Sequence, residues 1–126
     1  MGSLVAALPD LLAGLGRIEA RRMFGGHGIF HEGLMFALVI DDELFLKADA
    51  SSAADFSARG LAPFTYTAKG RRVSLSYFRA PEELFDDPAA ALHWGRLALD
   101  AARRAQAARR RMSSRPKGQP SSRPSG

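Results

Sequence analysis

The chain has 126 residues and a formal net charge of +5, a length that suits one compact domain. It has no cysteine, which excludes disulfides, thiolate metal sites and a cysteine nucleophile. We expect a cytoplasmic protein without membrane contact, because the amino terminus lacks a signal-peptide pattern and no apolar run approaches the ~20 residues of a membrane span.

The charge is divided unevenly along the sequence. Residues 103–126 contain eight of the 18 Lys and Arg residues and none of the 13 Asp and Glu residues. The body, residues 1–102, is therefore −3 and the carboxy-terminal segment is +8. An acidic body with a basic extension favours an appendage that meets a polyanion over a basic face on the fold itself.

The amino-terminal leucines predict a first amphipathic helix. Pro9 requires this helix either to begin near it or to kink there. Gly14 and Gly16 are expected to end it. The leucines recur at helical spacing and would face a core: Leu4, Leu8, Leu11, Leu12 and Leu15.

Extended apolar stretches follow, joined by connections too short for a crossover helix. Neighbouring strands should therefore be antiparallel. Asp41 and Asp42 suit a tight turn, and so do residues 31–33. The stretches span residues 18–24, 28–31, 34–40 and 43–47.

Three glycines, Gly25, Gly26 and Gly28, interrupt this region. Glycine weakens a strand, so we predict a structural bend, in the form of a bulge or a close backbone approach. A phosphate-binding loop is the alternative, but it requires a helix after the glycines, with Lys and Ser or Thr following. A strand follows here, which favours the bend.

The second half of the sequence predicts a middle helix and a long final helix. Asp49 or Ser51 can cap the middle helix, which Gly60 ends. Asp87 suits the cap of the final helix, with Pro88 at its first position. Between the two helices, alternating side chains predict a hairpin with strands at residues 64–67 and 73–79.

These elements together predict an α+β fold of two layers. Helices pack on an antiparallel sheet of about five strands, in the order α-β(3)-α-β(2)-α. We predict a domain over residues 1–110 and a disordered basic tail, rich in Ser, Pro and Arg, over residues 111–126.

Groups for catalysis or metal binding are sparse. His27 and His31 lie four residues apart in an extended segment, about 13 Å, which is too far to share an ion. No serine lies in a Gly-x-Ser-x-Gly elbow, and the acids cluster at turns and helix caps. We therefore predict no catalytic, cofactor-binding or metal-binding residues, no cofactor and no enzymatic activity.

The aromatic side chains of the strands admit two interpretations. A chain of this size needs most of them in its core, which is the expected role. Exposed strand aromatics could instead stack on nucleic-acid bases. The residues concerned are Phe24, Phe30, Phe36, Phe45, Phe64, Tyr66, Tyr77 and Phe78.

The order and spacing of several short motifs resemble the TfoX amino-terminal domain family, which is linked to regulation of bacterial competence genes. The resemblance spans roughly residues 4–104 and implies an antiparallel sheet with helices packed against it, similar to secretion-chaperone-like folds. The carboxy-terminal domain of the full-length competence regulators has no counterpart here, and a basic tail follows instead. The motifs are the glycine-rich run of residues 21–40, Leu44-Phe45-Leu46-Lys47-Ala48-Asp49, Pro63-Phe64-Thr65-Tyr66, Ser76-Tyr77-Phe78, Ala80-Pro81-Glu82-Glu83, Asp87-Pro88 and Trp94.

We expect a non-enzymatic, TfoX-like regulatory or adaptor domain that docks another protein in bacterial gene or competence regulation. The tail would add weak, sequence-independent affinity for DNA or RNA. Eight cations are the candidate nucleic-acid contacts: Arg103, Arg104, Arg109, Arg110, Arg111, Arg115, Lys117 and Arg123.

Three alternatives remain open. The tail could serve solubility alone. The chain could be a small-ligand-binding protein or an enzyme with a site at the glycine-rich bend, which would require polar groups converging on a cleft near Gly26 and His27. It could also be a protein-interaction module without a nucleic-acid role, and an adaptor of either kind would present an exposed apolar patch on the sheet or the last helix.

Overall fold

A computed structural model of the protein describes residues 4–23 and 25–113. Its six strands form one antiparallel sheet in the order β1-β2-β3-β4-β6-β5. The helices are α1 (Leu4–Leu11), α2 (Ala53–Ser57) and α3 (Pro88–Ser113), with 3₁₀ turns at Ala13–Leu15 and Glu82–Phe85. The strands are β1 (Glu19–Met23), β2 (Gly26–His31), β3 (Leu34–Ile40), β4 (Glu43–Lys47), β5 (Pro63–Ala68) and β6 (Arg71–Arg79).

The predicted α+β class is confirmed, but the sheet has more strands than the predicted five. Four strands, not three, precede α2. Met23 pairs with Gly26, and Gly25 has a φ of +77°, so the chain reverses direction there. Gly25 therefore lies in a hairpin connection between two strands and not in a bend within one, whereas Gly26 and Gly28 belong to β2.

Positive φ angles at tight turns fix the registers of three further hairpins. The turns carry Glu32 and Gly33, Asp41 and Asp42, and Lys69 and Gly70, all with φ between 52° and 80°. Two consecutive residues in this left-handed region match the right-handed twist of the flanking strands. The predicted turns at residues 31–33 and 41–42 lie where the sequence placed them.

The main core lies between the inner face of the sheet and the helices. It is built around Leu8 of α1, Phe56 of α2, and Trp94 and Ala98 of α3. A register shift in the β2–β3 ladder leaves Phe36 without a partner across the strand. Phe36 and Ala37 therefore both enter this core, although neighbouring strand residues normally face opposite ways.

The structure excludes one of the two alternatives for α1 and extends α3 past a predicted boundary. Pro9 lies inside α1, which begins at Leu4, so the proline does not start the helix. α3 continues to Ser113, past the predicted domain boundary at residue 110, because Ala, Gln and Arg are strong helix formers. Residues 114–126, most of the predicted tail, lie outside the described residues, and their disorder stays a prediction. Within the described part of the chain, no helix is long and apolar enough to cross a membrane.

The outer face of the sheet, opposite the helices, carries a second apolar cluster. Leu38, Phe45 and Tyr77 are its buried members. Partly buried side chains surround them: Met35, Ile40, Phe64 and Leu75.

Candidate functional site

The charged side chains divide between two ends of the sheet. Glu43 and Lys47 begin and end the same strand, β4, so they lie at opposite ends of that strand. We call "acidic end" the region of Asp42, Glu43, Glu82 and Asp86, which line one groove. We call "basic end" the region of Lys47, the hairpin residues Lys69, Arg71 and Arg72, and the α3 residues Arg109, Arg110 and Arg111.

Helix α3 joins the two ends. Asp87 caps its start, since the Ala89 backbone N–H donates to the Asp87 carboxylate at 3.0 Å and Pro88 occupies the first helical position. Its last turn carries Arg110 and Arg111. This distribution complements the helix dipole at both termini.

Arg104 holds the second half of α3 to the loop after β4. Its guanidinium donates from Nε to Asp49 Oδ2 at 2.6 Å and from Nη2 to Asp49 Oδ1 at 3.0 Å. Asp49 also accepts hydrogen bonds from the backbone N–H groups of Ser51 and Ser52. The bond from Arg104 is the main reason why the pKa of Asp49 falls to about 2. Arg104, a predicted nucleic-acid contact, is therefore an anchor of the helix.

The other predicted cations lie in different settings. Arg103 is within 3.7 Å of Asp100, and both side chains are more than half exposed. Arg110 and Arg111 are exposed in the last turn of α3. Arg115, Lys117 and Arg123 lie outside the described residues.

Lys47 is a basic residue that the sequence did not single out. Its Nζ donates to Ser76 Oγ at 2.7 Å and lies 5.3 Å from the centre of the Tyr77 ring. Burial and then the positive charge of Arg109 lower the pKa of Lys47. Burial raises the pKa of Tyr77 to about 12, against the influence of Arg109. The end of α3 thus adds its charge to the strand end where Lys47 lies.

A sequence signal for the basic end exists away from the tail. Residues 56–81 contain no Asp or Glu. This segment includes the whole β5–β6 hairpin and its cations Lys69, Arg71 and Arg72. The sequence analysis missed this basic segment because residues 1–102 as a whole are acidic and the positive charge was assigned to the tail.

The acidic end is a groove of about 570 Å³ with an apolar floor. Its carboxylates have structural partners: Glu43 accepts from Arg79 at 2.9 Å, and Asp42 accepts from the Leu4 backbone N–H at 2.9 Å. Apolar side chains line the rest of the groove, among them Leu4, Leu44, Leu61 and Phe85.

The predicted structural glycines act in two ways. Gly25 has a φ of +77°, whereas Gly26 and Gly28 lie in β2. A Cβ at Gly26 would lie 2.1 Å from the Val39 backbone oxygen, and a Cβ at Gly28 would lie 2.7 Å from Met35 Sδ. Gly25 makes the turn, and the other two permit close packing.

An open cleft of about 520 Å³ lies beside this hairpin. Four polar side chains line it: Arg22, His27, Asp41 and Asp42. Polar side chains therefore border a cleft near Gly26 and His27, although Asp42 already accepts a hydrogen bond from the Leu4 backbone N–H.

The other two histidines have contacts within the fold. His31 Nδ1 donates to the Arg17 carbonyl oxygen at 2.8 Å, and the His93 ring lies 5.3 Å from the Trp94 ring in an edge-on arrangement. Within residues 4–23 and 25–113, no group of three or more His, Cys, Asp or Glu side chains could hold a metal ion.

The aromatic side chains are mostly core residues, as expected, but the outer face differs. Phe36 and Phe56 are fully buried. On the outer face, the Phe45 and Phe64 ring centres lie 5.0 Å apart, and Phe64 and Tyr66 lie 6.3 Å apart. Tyr66 is 44% exposed. The centre of the outer cluster is buried, and Tyr66 is its exposed neighbour.

The sequence was compared with known proteins. The profile of the TfoX N-terminal domain matches residues 10–102. Protein Sxy of Escherichia coli K12 is 36% identical over 93 residues, covering 74% of this chain and 44% of that protein. DNA transformation protein TfoX1 of Aliivibrio fischeri is 36% identical over 78 residues, covering 62% of this chain and 37% of that protein. The chain spans less than half the length of these two relatives.

Proposed function

This chain belongs to the TfoX N-terminal domain family, and from that premise we propose a non-enzymatic regulatory or adaptor function in bacterial gene regulation, including competence. The observation that carries the proposal is the extent of the family match. Residues 10–102 include every strand and most of the helical layer. Its relative TfoX1 is named as a DNA transformation protein, which supports a role in the same process.

The acidic end is the proposed docking site for a partner protein. Its groove combines an apolar floor, including the exposed Phe85, with the carboxylates of Glu82 and Asp86 at its rim. Charge complementarity favours a partner segment that carries both basic and apolar side chains. Glu82 and Asp86 are exposed.

The basic tail would add a second, weaker contact. Residues 103–126 carry eight cations and no acid, and such a segment binds phosphates through counterion release without reading bases. In this proposal, the partner protein determines specificity, and the tail keeps the complex close to DNA or RNA.

Complementation of a gene deletion tests the regulatory role. In a bacterium that encodes this protein, deletion should lower competence-gene transcripts, and the wild-type gene should restore them. The double variant Glu82→Lys/Asp86→Lys should fail to restore them, whereas the exposed Asp55→Lys control on α2 should succeed. Unchanged transcripts in the deletion strain would refute the regulatory role, and restoration by the double variant would refute the docking site.

A small-ligand site at the glycine hairpin is the second candidate function. The observation in its favour is the cleft where Arg22, His27, Asp41 and Asp42 converge. A screen of small anions and metabolites by NMR would shift the amide signals of Gly25 and Gly26 if a ligand binds there. His27→Ala should then abolish the shift, and absence of any shift would remove this candidate.

A further inference from the structure

The β5–β6 hairpin extends past the rest of the sheet as a two-stranded arm. β6 pairs with β4 through Tyr77, Phe78 and Arg79. Residues 71–74 of β6 pair with β5 instead. The turn at Lys69 and Gly70 therefore lies beyond the end of β4, on the side where Lys47 ends that strand.

The outer face of this arm combines aromatic and basic side chains. Phe64 and Leu75 belong to the outer cluster, and strand alternation places Tyr66 and Arg71 on the same face. Tyr66 is the most exposed ring among the described aromatic residues, at 44%. Tyr66 lies beside the Phe64 ring, yet much of the residue is exposed, so part of its ring surface is open to a partner.

The charged residues of the arm itself are all basic. Lys69, Arg71 and Arg72 are exposed, and residues 56–81 contain no acid to neutralise them. Lys47 and Arg109 extend the positive charge along the same end of the sheet, because the charge of Arg109 lowers the pKa of Lys47. Two acids form ion pairs with arginines in the second half of α3. Asp49 pairs with Arg104, and Asp100 pairs with Arg103.

We propose that the outer face of the β5–β6 arm binds single-stranded nucleic acid. Bases stack on Tyr66 and Phe64, and phosphates contact Lys69, Arg71 and Lys47. Unpaired strands offer both base faces and phosphates, and the combination of an aromatic platform with a basic groove fits them. The inference goes beyond the proposed tail contact, because it assigns the folded body a preference for single strands.

Two other occupants fit less well. A second copy of this chain packed arm against arm, with a two-fold axis through the arm, would bring the cations of the two arms together. A duplex keeps its bases stacked on each other and would leave Tyr66 without a partner. Because base faces and phosphates are common to RNA and DNA, both kinds of single strand should bind.

The test is a fluorescence anisotropy titration of the full chain at moderate salt. The probes are labelled oligo(U) and oligo(dT) of about 12 nucleotides, within the usual site size, and a duplex of the same length. Tyr66→Ala should weaken single-strand binding by at least about fivefold and leave duplex binding nearly unchanged. Tyr66→Phe should retain binding, because the stacking ring remains.

Matched controls separate stacking from charge and from fold. Phe85→Ala removes an aromatic ring of similar exposure, 36%, at the acidic end and should not alter binding. Arg71→Ala should reduce the salt dependence of single-strand binding, whereas Arg22→Ala, at an exposed arginine of β1, should not. Trp94 fluorescence during thermal unfolding should show that Tyr66→Ala folds.

Three results would overturn the inference. The first is equal binding by Tyr66→Ala and Phe85→Ala. The second is equal loss of single-strand and duplex affinity in Tyr66→Ala. The third is displacement of oligo(U) by poly-glutamate at equal charge concentration, which would assign the face to acidic proteins. A chain ending at Ser113 separates a failure of the tail proposal from a failure of the arm proposal. If the tail does not bind nucleic acid, this truncation leaves duplex binding unchanged. The effect of Tyr66→Ala on single-strand binding still tests the arm.

Discussion

The acidic and basic ends of the sheet carry opposite charges that relate differently to the fold. At and near the acidic end, three carboxylates have partners within the fold. Glu43 accepts a hydrogen bond from Arg79, Glu83 accepts one from Arg59, and Asp87 caps α3. At the basic end, a few cations anchor the helix and the hairpin adds more without acids in its own segment. The difference is that several acids near the start of α3 have partners within the fold, whereas the hairpin cations lie in a segment that has no acid of its own.

This comparison can be tested first through packing at the acidic side of the sheet. Gly26→Ala should destabilise the protein by about 3 kcal/mol, because the new Cβ would overlap the Val39 backbone oxygen. Gly70→Ala is the matched control at the tip of the basic arm. Nothing lies within 4 Å of its Cβ, so only its φ of +75° opposes the change, at about 1 kcal/mol. Urea unfolding followed by Trp94 fluorescence measures both, and equal losses would contradict the account.

The second test concerns the ion pair that anchors α3 at the basic end. Arg104→Ala should lower the free energy of unfolding at neutral pH by about 1 kcal/mol, a value limited by the partial exposure of the pair. Arg103→Ala, whose partner lies 3.7 Å away on the exposed surface, should have a smaller effect.

The same pair predicts a pH dependence. The pKa of Asp49 is lowered to about 2 from its usual 3.8, so its stabilising contribution is complete above pH 4 and is lost as the pH falls through 2. Arg104→Ala should remove this part of the acid dependence. Parallel acid unfolding curves of wild type and Arg104→Ala, separated by a constant difference down to pH 2, would contradict the assignment.

The third and smallest pair of changes compares the two termini of α3. Asp87→Ala removes the acceptor of the Ala89 N–H and should cost about 1 kcal/mol of stability. Arg110→Ala should cost only a few tenths of a kcal/mol, as expected of an exposed charge in the last helical turn. Thermal unfolding of both variants is the measurement. A larger effect of Arg110→Ala would mean that the cations at the basic end serve the fold.

Local chemistry made parts of this structure predictable from sequence. The turns at residues 32–33 and 41–42 follow from residue type and from the apolar stretches beside them. Asp87 and Pro88 marked the start of α3 because a cap and an N1 proline are local signals. The extra strand was missed because Gly25 was assigned to a bend, although its positive φ makes a complete reversal.

Contacts between distant segments could not be predicted in this way. Asp49 and Arg104 are 55 residues apart, and nothing in either local sequence indicates their pairing. Phe36 enters the core because of a register shift in the β2–β3 ladder, and this shift depends on how the two strands pair. Tyr66 had the same alternating pattern as buried aromatics, and its exposure depends on β5 being the edge strand.

The central claim is that the positively charged carboxy-terminal segment, residues 103–126, contacts nucleic acid. Titration of a labelled duplex at increasing salt, with the full chain and with a chain ending at Ser113, tests it most directly. The truncation removes Arg115, Lys117 and Arg123. We predict that it weakens binding, reduces the slope of log affinity against log salt by about two to three, and leaves the melting temperature nearly unchanged. Absence of binding by both proteins at low salt, or equal binding by both, would contradict the claim.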